Sequence, residues 1–417
     1  MMQEFEKYPL SKALNDQDRN FINELAANHR FSFQQLRILI QTAVELRQWD
    51  VGSLSDFWSE NPNPNVEGKN KTKWAFNTLL EKIEAIRREP TDYKNFKSDY
   101  LKKEKDIIVE SFDYGNLLGR CPCPAEGEQT RCCNLLTLDV VRQCGFGCSY
   151  CSIQSFYHNN QILFASNIKE RLLNLELPKN CWHIGTGQSS DSLLWGNKHG
   201  ILDALREFAL KHQKVVIELK TKSSRTDWIN NLSNLKNIVA TWSLNAPTVI
   251  DKEEHGTSSL DKRLEAAREA ADKGIAIGFH LHPVVHFDRW QEEYEGVIEK
   301  VTTLFAPQEL TMFSFGTLTF TKEVLRELRS SKNKSRILQM EFFEIAGKYS
   351  YSDQLKITLF KRLFNAFPQS WREGQHPFFY LCMEKPQLWE PVFGYSYNSN
   401  KDFEDAMKKS YFLSLNL

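Results

Sequence analysis

Cys144-Gly-Phe-Gly-Cys148-Ser-Tyr-Cys151 follows a strand-like apolar run, 135–141, and its reading decides the rest of the chain. Three thiols spaced CxxxCxxC on one short loop suit three corners of an iron–sulfur cube. No fourth Cys completes the set within the loop, which leaves one iron open for a ligand. Gly145 and Gly147 fit a loop that wraps a cluster, because glycine accepts positive φ and close backbone approach. A structural zinc loop is the competing reading, but such zinc sites are usually closed by four ligands.

Outward from this loop the chain alternates. Strand-like runs lie at 135–141, 181–186, 214–221, 238–245, 274–284 and 309–318, with helical patterns at 168–175, 201–211, 260–273 and 294–305. Six such β/α units argue for a parallel sheet covered by helices. The thiol loop then sits at the C-terminal end of the first strand, where barrel chemistry collects. Upstream, Phe31, Leu36, Leu39, Ile40, Ala43 and Leu46 recur at helical spacing, as do Trp74, Leu79, Leu80, Ile83 and Ile86. Downstream, 354–367 and 403–411 read as helices and 378–382 as a short strand. The expected domains are a helical accessory domain (1–115), a barrel with a Cys-rich entry (116–334) and a C-terminal α/β lobe (335–417). Lys102, Lys103 and Lys105 read as a solvated connector.

Composition narrows the function classes. Of 417 residues, 53 are Lys or Arg and 53 Asp or Glu, so any nucleic-acid surface must be a local patch. No apolar run approaches the roughly 18 residues of a membrane span. Seven of the nine Cys crowd between 121 and 151, and the polar opening 1–10 carries no export signal. That combination points to cluster or metal chemistry in the cytoplasm, not to disulfides.

Polar residues gather at the expected strand ends. Gly185-Thr-Gly187-Gln-Ser-Ser190-Asp191 is a glycine-rich turn whose amides can cradle charge. Lys222 follows the third strand. Ser243 and Asn245 share one face of the fourth, and a ligand ribose is a suitable partner for both. Cys121, Cys123, Cys132 and Cys133 form a second group of soft ligands, fit for zinc or a second iron–sulfur cluster. His280, His282 and His286 read as polar-core or substrate-contact residues. Lys322, Arg326, Arg329, Lys332, Lys334 and Arg336 read as a solvated helix end, with a phosphate-contacting patch as the alternative.

The CxxxCxxC loop with Tyr150 before its third Cys resembles the radical S-adenosylmethionine (SAM) superfamily. The stretches Trp242-Ser-Leu-Asn-Ala, Glu254-His-Gly-Thr-Ser-Ser259 and Gly278-Phe-His-Leu-His-Pro283 resemble the spore photoproduct lyase family within it. The likeness runs from about 130 to about 300, and Tyr380-Leu-Cys-Met-Glu384 is similar to the C-terminal part of related proteins. The resemblance implies an α/β fold, a partial (β/α)6 TIM-like barrel. It implies a 4Fe-4S cluster on Cys144, Cys148 and Cys151, with SAM on the open iron. It implies SAM contacts from Tyr150, Gly185, Gly187, Ser190, Lys222, Ser243 and Asn245, and a backbone contact to adenine at His282. It also implies an electron donor such as flavodoxin or ferredoxin, and a DNA or RNA substrate. The family places a radical-quenching Cys where this chain has Gln188, and a Tyr where it has Ser152. Tyr150 and the distant thiol Cys382 are the remaining candidates for hydrogen transfer. A radical enzyme acting on a peptide or small molecule, and a metal-stabilised nucleic-acid-binding protein, remain open readings.

Overall fold

The structure is a computed structural model that describes residues 8–61, 63, 65–100, 104–112, 116–121, 129–153, 160–345 and 347–417. The chain forms two compact units. The larger, Lys102–Val285 with Arg289–Leu318 and Ser352–Leu417, is built on one sheet of eight strands. These are β1 (Leu118–Arg120), β2 (Leu136–Leu138), β3 (His183–Thr186), β4 (Val216–Thr221), β5 (Ile238–Leu244), β6 (Ala276–Val284), β7 (Leu310–Thr317) and β8 (Phe378–Leu381). Their order across the sheet is their order in the chain. β1 is antiparallel to β2, and every later neighbour is parallel. Among the described residues β8 and β1 do not pair, so the sheet is an open part-barrel.

Burial explains the apolar runs. β5 and β7 are buried at every position, as parallel strands covered on both faces require. The helices Ile201–Lys211, Leu260–Asp272 and Trp290–Leu304 each bury one stripe, for example Leu205 and Phe208 or Val297 and Val301. All six expected strands are present.

The expected lobe at 335–417 divides. β8 pairs with β7 in register Met312↔Phe378 and extends the barrel. Phe313 packs edge-on against Phe367, and Thr311 Oγ1 lies 3.2 Å from Ser414 Oγ on the closing helix Asn400–Leu415. The open edge of β7 needs a strand partner, and the apolar run Phe378–Leu381 satisfies it. A second departure lies in the stretch expected to be helical. Asp106–Glu110 is a strand, parallel to Gln161–Ala165, which in turn runs antiparallel to Val141–Arg142.

The smaller unit comprises Met1–Leu101, His286–Asp288 and Thr319–Tyr351. Helices Asp16–Asn28, Phe33–Trp49 and Gly68–Arg88 pack around Ile22, Leu39, Ala43, Leu46 and Leu79. Ser32 and Gln35 cap the second helix reciprocally. Half of the basic run is committed inside this unit. Arg329 pairs with Glu45, Lys334 with Asp50 at 2.7 Å, and Arg336 donates to the Asp92 and Asp50 carbonyls. Lys322, Arg326 and Lys332 are exposed.

Candidate active site

The thiol loop is clamped by backbone pairing. Gly147 and Cys148 run antiparallel to His255 and Glu254, and Ser149 N–H donates to the Glu253 carbonyl at 2.8 Å. A side chain on Gly145 would meet Leu194 at 2.9 Å and Trp195 at 3.0 Å, so close approach demands glycine there. Lys105 donates to the Cys144 carbonyl at 2.6 Å. It braces the loop and is not a solvated connector; Lys102 and Lys103 lie outside the described residues.

Cys144, Cys148 and Cys151 form one wall of a cavity of about 100 Å³. Gly187, Ser190, Lys220, Lys222 and Ser243 contribute facing walls. Burial pushes the Cys144 thiol up to about 12 and that of Cys148 well above its ordinary value. The turn after β3 is shaped around this space. Gly187 has φ +91, and a Cβ there would stand 2.9 Å from the Lys220 carbonyl. Ser190 Oγ accepts from Trp195 Nε1 at 3.1 Å. Asp191 is occupied as a brace, accepting from Thr221 Oγ1 and Lys222 N–H, both at 2.7 Å, and from Leu193 and Leu194 N–H. The donor set fits a 4Fe-4S cluster with an open corner: three soft ligands face a pocket walled by hydroxyls and an ammonium.

Glu254 organises the other side. It is fully buried and accepts from Tyr150 Oη, from Lys222 Nζ at 2.7 Å and from Arg263 Nη2 at 2.6 Å. Burial alone would raise its carboxyl, but Arg263 and then Lys222 hold it well below the usual carboxylate range. Arg263 also donates to the Ser243 carbonyl at 2.7 Å and the Ser258 carbonyl at 2.8 Å, tying β5 to the 254–259 turn. Lys222 Nζ reaches Tyr150 Oη at 2.6 Å. The Tyr150 phenol is raised well above its ordinary value by burial and by Glu254. Asn245 departs from expectation. Its amide donates to Glu254 and to the Pro283 carbonyl, while its oxygen accepts from Tyr294 Oη and Ala246 N–H. All four of its hydrogen-bonding positions are spent, so none is left for a ribose.

A second polar layer fills the barrel interior. Glu218 on β4 contacts His183 at 3.0 Å, His280 at 2.8 Å and Thr241 at 2.9 Å. Ser314 Oγ lies 2.6 Å from His280 Nδ1 and 3.0 Å from His282 Nε2. Lys220 Nζ is 3.5 Å from His282 Nδ1 and lines the cavity. Burial, then Lys220, lowers His280 to about 4. Neither Glu218 nor Lys220 was singled out from sequence. Their signal was two polar residues at alternate positions of an otherwise apolar strand.

Of the remaining expected residues, Gly185 lies within β3, packed under Leu135, and does not line the cavity. Cys382 follows β8, with its N–H donating to the Phe315 carbonyl at 2.8 Å. Cys121, Cys132, Cys133 and Cys382 are not disulfide-bonded to one another. Cys123 lies outside the described residues.

Residues 177–370 match the family model described as spore photoproduct lyase. That span holds β3 to β7 and begins after the thiol loop. The chain is 30% identical over 100 residues to the spore photoproduct lyase of Clostridium acetobutylicum, covering 22% of this chain and 30% of the relative. It is 34% identical over 99 residues to that of Bacillus subtilis (strain 168), covering 23% and 29%. The matches thus span less than a third of these curated relatives. A solved spore photoproduct lyase variant with bound AdoMet and dinucleoside spore photoproduct superposes with TM-score 0.52 at 20% identity, covering 73% of this chain and 93% of that one. The chain is therefore spore photoproduct lyase-like, and it has that fold. No helix among the described residues is long and apolar enough to cross a membrane.

Proposed function

We propose that this spore photoproduct lyase-like chain is a radical SAM enzyme acting on damaged nucleic acid. One observation carries the reading: three loop thiols and the row Ser190, Lys222 and Ser243 face the same cavity. When bound, the cluster and SAM supply reductive cleavage of a sulfonium and a carbon-centred radical for hydrogen abstraction. The chain's own residues hold and orient them. Cys144, Cys148 and Cys151 are the cluster ligands. Gly187 leaves backbone bare for a close charged group, and Lys222, steadied by Glu254, presents positive charge to a carboxylate. Phe146 and Ile153 cover the loop side of the cavity. A flavodoxin or ferredoxin supplies the electron.

The nucleic-acid substrate rests on the likeness to lyases solved with a dinucleoside spore photoproduct. Gln188 and Ser152 stand where the family relay has Cys and Tyr. An amide has no weak bond to give to a substrate radical, and an alkoxyl radical is far harder to form than a phenoxyl one. Repair through that relay is therefore not expected, and the lesion differs or the hydrogen donor does.

The test is anaerobic reconstitution followed by chromatography of 5′-deoxyadenosine under dithionite. Wild type should release it, and Ala at Cys144, Cys148 or Cys151 should abolish release. Lys222→Ala should keep the cluster but weaken SAM binding by about 1.5–3 kcal/mol in calorimetry. Unimpaired release from any Cys variant would remove the reading. The substrate half is read separately, from conversion of the dinucleoside lesion against a panel of other damaged dinucleotides.

A further inference from the structure

The strand Asp106–Glu110 brings a lysine to the back of the thiol loop. Asn160 holds the residues on either side of that lysine: its carbonyl accepts from Asp106 N–H at 3.0 Å, and its Nδ2 donates to the Glu104 carbonyl. The strand then runs parallel to Gln161–Ala165, which pairs antiparallel with Val141–Arg142, just ahead of Cys144. This small sheet fixes the approach of Lys105, whose Nζ donates to the Cys144 carbonyl at 2.6 Å. Lys105 is half-buried. Burial lowers its pKa, and Cys144 and then Cys151 oppose that shift. Among the described residues no carboxylate lies within 4.0 Å of its ammonium. Lys222, in the cavity wall, is by contrast paired with Glu254 at 2.7 Å.

We propose that Lys105 raises the reduction potential of the cluster held by Cys144, Cys148 and Cys151. The inference rests on the cluster assigned to those thiols. An oxidised 4Fe-4S core carries two positive charges against three thiolates. One electron, given up by the flavodoxin or ferredoxin, takes the centre from one net negative charge to two. A nearby cation stabilises the more negative state, so Lys105 makes the cluster easier to reduce. Its half-burial limits screening by salt and water. Lys105 does not line the cavity. It is a positioning residue, acting through the loop it braces and through its charge.

The full chain is reconstituted anaerobically as wild type, Lys105→Gln, Lys105→Arg and Lys401→Gln. Iron and acid-labile sulfide are counted first. The midpoint potential is then read by electron paramagnetic resonance in a mediated dithionite titration without SAM. Gln and Arg both keep a donor for the Cys144 carbonyl, so the two variants differ chiefly in charge. Wild type and Lys105→Arg should share one midpoint. Lys105→Gln should have a lower one, with the ratio of oxidised to reduced cluster at a fixed potential raised about tenfold. A partly loaded variant is read on its loaded fraction. Lys401→Gln removes an exposed charge on the closing helix and should leave the midpoint unchanged. Equal midpoints for Lys105→Gln and Lys105→Arg, or an equal fall in Lys401→Gln, overturn the proposal. Loss of all iron from Lys105→Gln would make Lys105 a loop brace alone and also overturn it. A wild type that binds no iron defeats the cluster and this proposal together. A cluster that loads and titrates as expected but never cleaves SAM defeats only the enzymatic reading.

Discussion

At the scale of single residues, Arg263 and Glu254 are wholly buried and depend on each other. The pair is expensive to create and more expensive to break, since one partner alone leaves an uncompensated charge in the interior. Arg263→Met is expected to cost about 3–5 kcal/mol in urea unfolding, far more than an exposed Arg change. His280 supplies a pH dependence. Its folded pKa of about 4 lies below the ordinary value of 6.5. The unfolded chain therefore takes up a proton that the native one refuses, and stability falls as pH drops from about 6.5 toward 4. The full effect is about 3 kcal/mol. Comparing urea midpoints of wild type and His280→Asn from pH 7 to pH 4.5 should show about one proton less uptake in the variant. Equal slopes would mean that His280 is not kept neutral by its burial. These residues also mark the limit of sequence reading. The cluster loop is legible because three thiols within eight residues are local. Glu254 shows no role in the sequence, because Tyr150, its partner, lies far upstream. Asn245 reads as open to a ligand because alternation reveals a face but not the neighbours already occupying it.

Among elements, the turn after β3 is the most constrained. Gly187 combines positive φ with a Cβ position 2.9 Å from a backbone oxygen that cannot swing aside. Gly187→Ala should therefore strain the turn by roughly 1–3 kcal/mol and weaken SAM binding, while the iron content is preserved. Thermal unfolding and calorimetry on the reconstituted protein check the two halves. If SAM affinity holds while the protein is destabilised, the turn is a scaffold and not a cradle. The repeating β/α elements were readable because each long apolar run carried its own helical punctuation. Asp106–Glu110 was not, since five residues with charged ends resemble a connector until Gln161–Ala165 supplies a partner. Phe378–Leu381 was recognised as a strand, but its four residues say nothing about which strand they join.

For the molecule as a whole, the segment from Ser352 onward belongs to the barrel unit, not to a detachable lobe. A chain ended at residue 351 should leave β7 without its outer partner and expose Phe313 and Phe315. It is expected to be insoluble or to lose its cooperative thermal transition, whereas a separable lobe would leave both intact. Expression yield and differential scanning calorimetry decide between them. Strand order equal to chain order has a further consequence, for birth on the ribosome. Each of β2 to β7 can dock on the strand made just before it, so the growing sheet need not wait for distant sequence. The exception is the 131–133 segment. Its anchors at Glu384 and Asn400 are among the last residues translated, so Cys132 and Cys133 wait for their seat until synthesis is nearly over.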